Sequence, residues 1–398
     1  MRKLFTLVAT AALAVTTAMT GAVTGAAAHG ADNPGKPLTV MTRNLYLGAD
    51  INRPVIAAAT AQAEGKGPLE VVSALANATH YTRGIVDQTD FRVRSRLLAG
   101  EIARTEPDLV GMQEVALWRS GPLELDPAHL ASPDATHVDY DFLQLLLDAL
   151  AAKGVDYKPV EIAQRADVEA PSFTGSLADG TADLAHGEDV RLTMRDVILM
   201  RVGGNDLRVL DEGDATYSTN LQVTIAGKTM NFDRGYNWVD VRNGSQRLRF
   251  VNTHTEAFSS AIALAQVTQL SAQATAPDMP TVLVCDCNSD PLDSSFNNPQ
   301  KVPHKAPYDA LVAAGFKDMW LTFAPADQGW TSGLSETVND PDASGFNHRI
   351  DMVMVHDPGA APFADRGEVT GTSVTDRDPT TGLWPSDHGG VVLRLRGL

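Results

Sequence analysis

The chain has 398 residues, 32 of them Lys or Arg and 49 Asp or Glu, with 43% hydrophobic and 20% charged residues. That is too apolar for an intrinsically disordered chain and too long for a miniprotein stapled by disulfides. The formal charge of −17 disfavours a broad basic nucleic-acid footprint but leaves room for a locally cationic or metal-loaded cleft.

Residues 1–28 read as a secretory signal peptide. Arg2 and Lys3 form a basic start, an apolar run diluted by Thr extends from Leu4 to about Thr20, and Ala26, Ala27 and Ala28 offer small residues for cleavage. The run is interrupted by Thr and Gly and falls short of the ~20 apolar residues of a spanning helix. The expectation is therefore export with cleavage and no stable membrane insertion. The remaining chain, residues 29–398, carries 30 basic and 49 acidic residues, a net −19.

After a Gly/Pro/Asn lead-in at 29–36, residues 38–42 have the β-rich look of a first strand. Phe91, Val93, Leu97, Leu98 and Ile102 recur at near-helical spacing, with Arg92, Arg94 and Arg96 interleaved, and predict a helix over 90–104 before Pro107. Residues 108–115 form a short buried-strand pattern with one acid at its far end. The Leu-rich segment 141–153 predicts a second helix that stops at Gly154. The acidic, Gly-containing stretch 166–189 lacks periodicity and reads as a surface loop, within an insertion around 119–190. Further strands are predicted at 196–201, 221–225, 236–241, 248–253, 281–284, 350–355 and 391–395, with a helix at 261–273. Many strands with few intervening helices favour two packed sheets over one doubly wound sheet. Cys285 and Cys287, the only cysteines, would lie ~7 Å apart on one face of a strand, poor geometry for a disulfide. The expectation is two reduced, buried thiols, without the partners a metal site needs.

Polar residues interrupt the ends of these apolar runs. Asn44 follows the first strand, Glu114 ends 109–113, His254 ends 248–253, and Asp286 and Asn288 end 281–284. Asp351 lies inside a strand, and Asp387 and His388 precede the last one. Singly, each has an ordinary explanation as a cap, a buried ion pair or a structural histidine. Together, carboxylates and amide oxygens are the ligands a hard divalent cation takes, and histidines beside them can stabilise phosphate charge or move protons. The set suits phosphoester hydrolysis.

The segments Thr42-Arg43-Asn44-Leu45, Gly111-Met112-Gln113-Glu114-Val115, Asn252-Thr253-His254, Cys285-Asp286-Cys287-Asn288, Arg349-Ile350-Asp351 and Ser386-Asp387-His388 resemble, in order, the motifs of the endonuclease/exonuclease/phosphatase superfamily. They span nearly the whole chain beyond residue 28. One departure is at Cys285-Asp286-Cys287-Asn288, where that family commonly has Gly-Asp-Phe-Asn. The resemblance implies an α/β four-layer sandwich of the deoxyribonuclease-I type: two mixed sheets packed face to face and flanked by helices, in a single catalytic domain over 29–398. It also implies that Glu114 and Asn44, with Asp387 as a further ligand, hold a divalent metal: Mg²⁺, with Mn²⁺ or Ca²⁺ as alternatives. By the same resemblance His388 contacts the scissile phosphate and is oriented by Asp351. Asp286 activates water, Asn288 binds a phosphoryl oxygen, and His254 stabilises the phosphate or assists the leaving group. The activity implied is that of a secreted metal-dependent phosphodiesterase, first of all an extracellular nuclease. A sphingomyelinase-like phospholipase C, a small-substrate phosphatase and, remotely, a non-catalytic binding protein are the alternatives. Arg43, Tyr46, Arg53, His348 and Arg349 are candidate contacts to a nucleic-acid backbone; Trp320, Trp330 and Trp384 are candidates for an exposed lipid-facing hairpin.

Overall fold

The computed structural model describes residues 36–125, 133–203, 206–225, 228–357, 359 and 361–398. The expected signal peptide lies outside them. In chain order the elements are β1 (Leu38–Asn44), α1 (Asn52–Ala63), α2 (Pro68–Gln88), α3 (Phe91–Thr105), β2 (Leu109–Gln113), β3 (Leu117–Pro122), β4 (His137–Asp141) and α4 (Phe142–Ala152). They continue with β5 (Tyr157–Ser172), β6 (Glu188–Arg201), β7 (Leu207–Thr216), β8 (Leu221–Ile225), β9 (Lys228–Phe232), β10 (Gly235–Asn243), β11 (Gln246–His254) and α5 (Ser260–Gln273). The last are β12 (Thr281–Asp286), α6 (Ala306–Ala313), β13 (Lys317–Asp318), α7 (Trp320–Phe323), β14 (Asp351–His356), β15 (Phe363–Thr370) and β16 (Gly390–Arg396).

One sheet runs β15-β16-β1-β2-β6-β3-β4, with β5 also paired to β6; the other runs β13-β14-β12-β11-β10-β7. Both are mixed, since β1 with β2 and β11 with β12 are parallel pairs among antiparallel neighbours. Strand alternation assigns the layers. Leu38 and Val40 of β1 meet Leu248 and Phe250 of β11, Val282 and Val284 of β12 and Val353 and Val355 of β14 in a core between the sheets. Met41 faces the other way and joins Leu98 and Ile102 of α3 and Phe142 and Leu146 of α4. On the far side, Val251, Leu283, Met352 and Met354 pack with Val267 and Leu270 of α5 and Leu311 of α6. This is the α/β four-layer sandwich the motifs implied. Each fully buried Leu, Val or Phe in these layers contributes about 1.5–3 kcal/mol.

Two expectations are corrected. The stretch 166–189 is a surface loop only at 173–187: residues 166–172 and 188–189 belong to β5 and β6, which pair as an antiparallel hairpin. Acids that broke the pattern have partners on the neighbouring strand or in the segment before β4. Asp167 takes a bidentate contact from Arg191 at 2.9 and 2.6 Å, and Glu169 accepts the backbone N–H of Ala135 at 2.8 Å. Cys285 and Cys287 are not free thiols but form a disulfide with Cα atoms 5.1 Å apart. The strand rise behind the expected spacing ends at Asp286. There Cys287 donates its N–H to Ile350 O at 2.9 Å, and Asn288 turns to a φ of 41°.

Candidate active site

Alternation also delivers the polar set. On the face toward the opposite sheet, β1 presents Leu38, Val40, Thr42 and then Asn44; β11 presents Leu248, Phe250, Asn252 and then His254. Strand β12 presents Val282, Val284 and Asp286, and the antiparallel β14 begins with Asp351 before Val353 and Val355. Register aligns them: Asn44 lies opposite Gln113, His254 opposite Asp286, and Asp286 opposite Asp351. The inter-sheet layer is therefore apolar along most of its length and polar at one edge. A row of amides marks the transition, with Gln113 Nε2 donating to Asn252 Oδ1 at 2.7 Å and Asn252 Nδ2 to Asn237 Oδ1 at 3.1 Å. Gly111 permits the close approach: a Cβ there would lie 2.3 Å from Val284 Cγ2 and 2.8 Å from Asn252 Oδ1.

Asp286 Oδ2 is the centre. It accepts Asn44 Nδ2 at 2.9 Å, lies 3.4 Å from His254 Nε2, and is 3.8 Å from His388 Nε2. Nη1 of Arg234 approaches His254 Nδ1 at 2.7 Å. A guanidinium can only donate, so Nδ1 accepts and the ring proton sits on Nε2, aimed at Asp286. Burial, and then the charges of Arg234 and His388, hold the His254 pKa well below the ordinary imidazole value. His388 is opposite in character, for its Nδ1 meets Asp351 Oδ2 at 2.8 Å. Burial works against its charge, but the carboxylates of Asp351, Asp387 and Asp286 outweigh it and hold the pKa well above the ordinary value. Asp286 is raised well out of the usual carboxylate range by burial, with His388 pulling it down and Asp351 pushing it up. The edge thus holds one neutral imidazole, one imidazolium and, between them, a carboxylate poised to change protonation.

Glu114 follows β2 with a φ of 55°, and its Oε2 accepts the N–H of Leu47 at 2.8 Å. Tyr46, beside it, also has a positive φ, of 56°, and donates its N–H to Asn44 Oδ1 at 2.8 Å. These are strained conformations for residues with side chains, and here they hold two oxygen donors on adjoining turns. Burial and then the charge of Asp387 raise Glu114; burial likewise raises Asp387, against His388 and Arg94. Among the described residues no Lys or Arg ion-pairs with Glu114. Two part-buried carboxylates, Glu114 with no Lys or Arg ion pair and Asp387 with His388 Nε2 3.9 Å away, together with the amide oxygen of Asn44, form an oxygen set that fits a hard divalent cation. Asp286, Asp351 and His388 also bring ligand atoms within 4.8 Å of one another. Because His388 is held protonated against Asp351, its Nε2 offers a proton there and not a lone pair. Asn288, with its own positive φ, donates Nδ2 to Thr255 O at 3.1 Å and its N–H to Asp286 Oδ1 at 3.1 Å.

All eight residues expected from the sequence stand at this edge. Two that fasten it were not expected to do so. The Arg94 side chain, on the buried face of α3 with Phe91 and Leu98, donates to the carbonyls of Leu45 (2.7 Å), Tyr46 (2.9 Å) and Pro385 (3.2 Å). It ties the turn after β1 to the segment before His388, and burial lowers its pKa only to about 10, so it stays charged. Arg234 precedes β10 and orients His254; an isolated Arg after a turn carries no sequence signal. The expected backbone contacts are engaged elsewhere. Arg43 binds Glu101 and the His388 carbonyl, Arg53 pairs with Glu336 and Arg349 with Asp318, while Tyr46 donates to the Glu336 carbonyl. His348 alone keeps a half-exposed side chain, 3.1 Å from Asp290. Trp320 and Trp384 are buried and Trp330 packs beside Phe346 and Trp384, so no exposed tryptophan hairpin forms from them.

No protein-family model matches the chain, and no curated protein matches it. Solved structures do. An endonuclease/exonuclease/phosphatase family protein from Leptotrichia buccalis C-1013-b superposes with a TM-score of 0.51 at 13% identity, covering 90% of this chain and 99% of that one. A mannosyl-6-phosphatase from Bacteroides thetaiotaomicron VPI-5482 (TM-score 0.48, 18% identity, 90% and 99% covered) is also similar. So is D. rerio TDP2 complexed with a single-strand DNA product (0.48, 13%, 90% and 98%). The first of these likenesses places the chain in the endonuclease/exonuclease/phosphatase fold, as the six motifs implied.

Proposed function

We propose that this protein is a secreted, divalent-metal-dependent phosphoric ester hydrolase acting on phosphodiesters. The observation that carries the reading is the surround of Asp286: one carboxylate oxygen within 2.9 Å of Asn44, 3.4 Å of His254 and 3.8 Å of His388. In this reading Asp286 takes a proton from the attacking water, which its raised pKa suits near neutral pH. His388, kept cationic by Asp351, contacts the phosphate and stabilises the charge that develops on it, with Asn288 beside it. His254, with Arg234 fixing its tautomer, presents an N–H to the phosphate or leaving oxygen. Glu114, Asn44 and Asp387 would hold the metal: Mg²⁺ first, Mn²⁺ or Ca²⁺ as alternatives. Bound there, the ion would supply Lewis-acid stabilisation of phosphoryl charge. Secretion is supported by the pattern of residues 1–28 and by the Cys285–Cys287 disulfide, which suits an oxidising compartment.

The first substrate class is nucleic acid, making the protein an extracellular nuclease, and its local support is the cationic pair of Arg234 and His388 at the site with His348 outside it. A specific observation favours a second reading, a phospholipase C acting on a phospholipid head group. Phe258, Leu292 and Phe296 are 44%, 63% and 54% exposed on the loops that follow His254 and Asn288. Those loops are joined by Asn297, which donates to Ala257 O at 3.2 Å and accepts the Ser260 N–H at 2.9 Å. Among the described residues no helix is long and apolar enough to cross a membrane. The test is hydrolysis of duplex DNA, RNA, sphingomyelin vesicles and a chromogenic phosphodiester, each with Mg²⁺ and with chelator. Nuclease activity should fall steeply with salt, and lipid hydrolysis should fall on Phe258→Ser with Phe296→Ser. Absence of metal-dependent hydrolysis of any of them would refute the reading.

A further inference from the structure

Asp286 sits between the two cysteines of a disulfide. Cys285 and Cys287 are fully buried on the α5/α6 side of the sheet, packed with Val251, Leu283 and Met352, whereas Asp286 faces the opposite way, into the site. A regular strand would place residues i and i+2 ~6.6–6.8 Å apart; here the flanking Cα atoms are 5.1 Å apart. Drawing both neighbours together on one side of the strand lifts the middle residue toward the other, which is where its carboxylate meets Asn44, His254 and His388. The chain then turns at once. Thr255 donates its N–H to Asp286 O (3.1 Å) and its hydroxyl to Cys287 O (2.7 Å), and Asn288 returns its N–H to Asp286 Oδ1 (3.1 Å). A ring closed over three residues removes little entropy from the unfolded chain, so global stability is not what such a bridge supplies.

Given Asp286 and Asn288 as groups acting on the phosphoester, we propose that the Cys285–Cys287 bridge is a positioning element that holds both in register with the two histidines. The full chain beyond the signal peptide is compared in three forms: oxidised wild type, wild type refolded from denaturant with excess dithiol, and the double variant Cys285→Ala/Cys287→Ala. In the second form the dithiol gives two electrons and two protons to the bridge, leaving two thiols, and closes to its own cyclic disulfide. Turnover of a chromogenic phosphodiester with Mg²⁺ should fall by about tenfold or more in both bridge-free forms, as expected for an ångström-scale displacement of a reacting group. KM should move by less than about threefold, thermal midpoints should shift by only a few degrees, and reoxidation of the thiol form should restore the rate. Amide exchange should quicken at Thr255, Cys287 and Asn288 and stay unchanged in α3.

The proposal is overturned by a folded, bridge-free protein with an unaltered rate. It is equally overturned by a bridge-free protein that unfolds globally, or by native protein that titrates two free thiols. Asp286→Asn in the oxidised protein separates this from the functional reading. Full activity there would sink the role of Asp286 whatever the bridge does, and the amide exchange would still report on the clamp.

Discussion

Replacing Asp351 by Asn tests the electrostatics of the site most directly. Asp351 Oδ2 and His388 Nδ1 are 2.8 Å apart, and both groups are buried. Unit charges about 4 Å apart in a medium of effective dielectric constant near 20 attract by about 4 kcal/mol, an upper bound. A charge-assisted hydrogen bond is worth about 1.5–3 kcal/mol net. At 1.36 kcal/mol per pKa unit, losing this carboxylate should lower the His388 pKa by about 1–2 units. The fall is bounded because Asp387 and Asp286 still favour the charged ring. In the proposed mechanism the charged form acts, so the alkaline limb of the kcat profile should move to lower pH by the same amount. Activity on the alkaline side of neutrality should drop, while the acid limb remains that of Asp286, which must be deprotonated to act as the base. The pair is also a stability element. His388 has a folded pKa above its unfolded one, so its contribution is complete below the unfolded value and is lost as pH rises through the folded value; Asp351→Asn should narrow that window. Turnover from pH 5 to 10, with denaturant midpoints over the same range, decides the matter. An alkaline limb that stays in place, with both proteins folded, would refute the orienting role.

Glu114→Gln should lose several orders of magnitude in metal-dependent activity. In chelator its thermal midpoint at pH 7 should nonetheless rise by about 1–3 °C, because a carboxylate with a raised folded pKa destabilises the metal-free protein above its unfolded pKa; a lower midpoint would contradict the electrostatic argument. Arg234→Met frees His254 to take either tautomer and should cost about tenfold in kcat with KM little changed, whereas unchanged kinetics would make Arg234 a bystander. His254→Ala and His388→Ala should each lose about 10²-fold, and the double variant less than the product of the two; fully multiplicative losses would mean that they act independently. Gly111→Ala drives a methyl against Val284 and Asn252 and should destabilise by about 1–3 kcal/mol in a denaturant titration; a neutral result would show that the sheets can part at that point.

What was legible in the sequence, and what was not, divides along the range of the forces involved. The strands of the central layers could be read because each carries a short apolar run, complete in β12 and alternating in β1 and β11, that gives way to polar residues at the site end. The helices α1 and α2 were not anticipated: Ala58 is the one buried residue of α1, and in α2 the buried Val71, Leu75, Ile85 and Val86 alternate with buried Ser73, Ala76, Thr79 and Thr82, so the apolar stripe is interrupted by small and polar residues. The hairpin of β5 and β6 was obscured by acids whose cationic partners, such as Arg191 for Asp167, lie on the neighbouring strand. Arg94 could be placed on a helix from its spacing, but beyond the local Thr89 carbonyl the carbonyls it binds lie 48 to 291 positions away. The disulfide was misjudged because strand geometry was extended one residue beyond the end of the strand.

The residues of the site itself were legible for a reason the alternation makes plain. Asn44, His254, Asp286 and Asp351 occupy the same parity as the valines, leucines and phenylalanine of the inter-sheet core, continuing each strand's buried face past the point where the apolar layer stops. A polar residue there cannot reach solvent across its own sheet and must find partners across the gap, so the opposing sheet supplies them: Asn44 from one sheet donates to Asp286 of the other. Parity also makes the arrangement brittle in a definable way. Removing one residue from β12 between Val282 and Asp286 would turn Asp286 toward α5 and bring Cys287 into the site, exchanging a carboxylate for a thiol at the position between the two histidines.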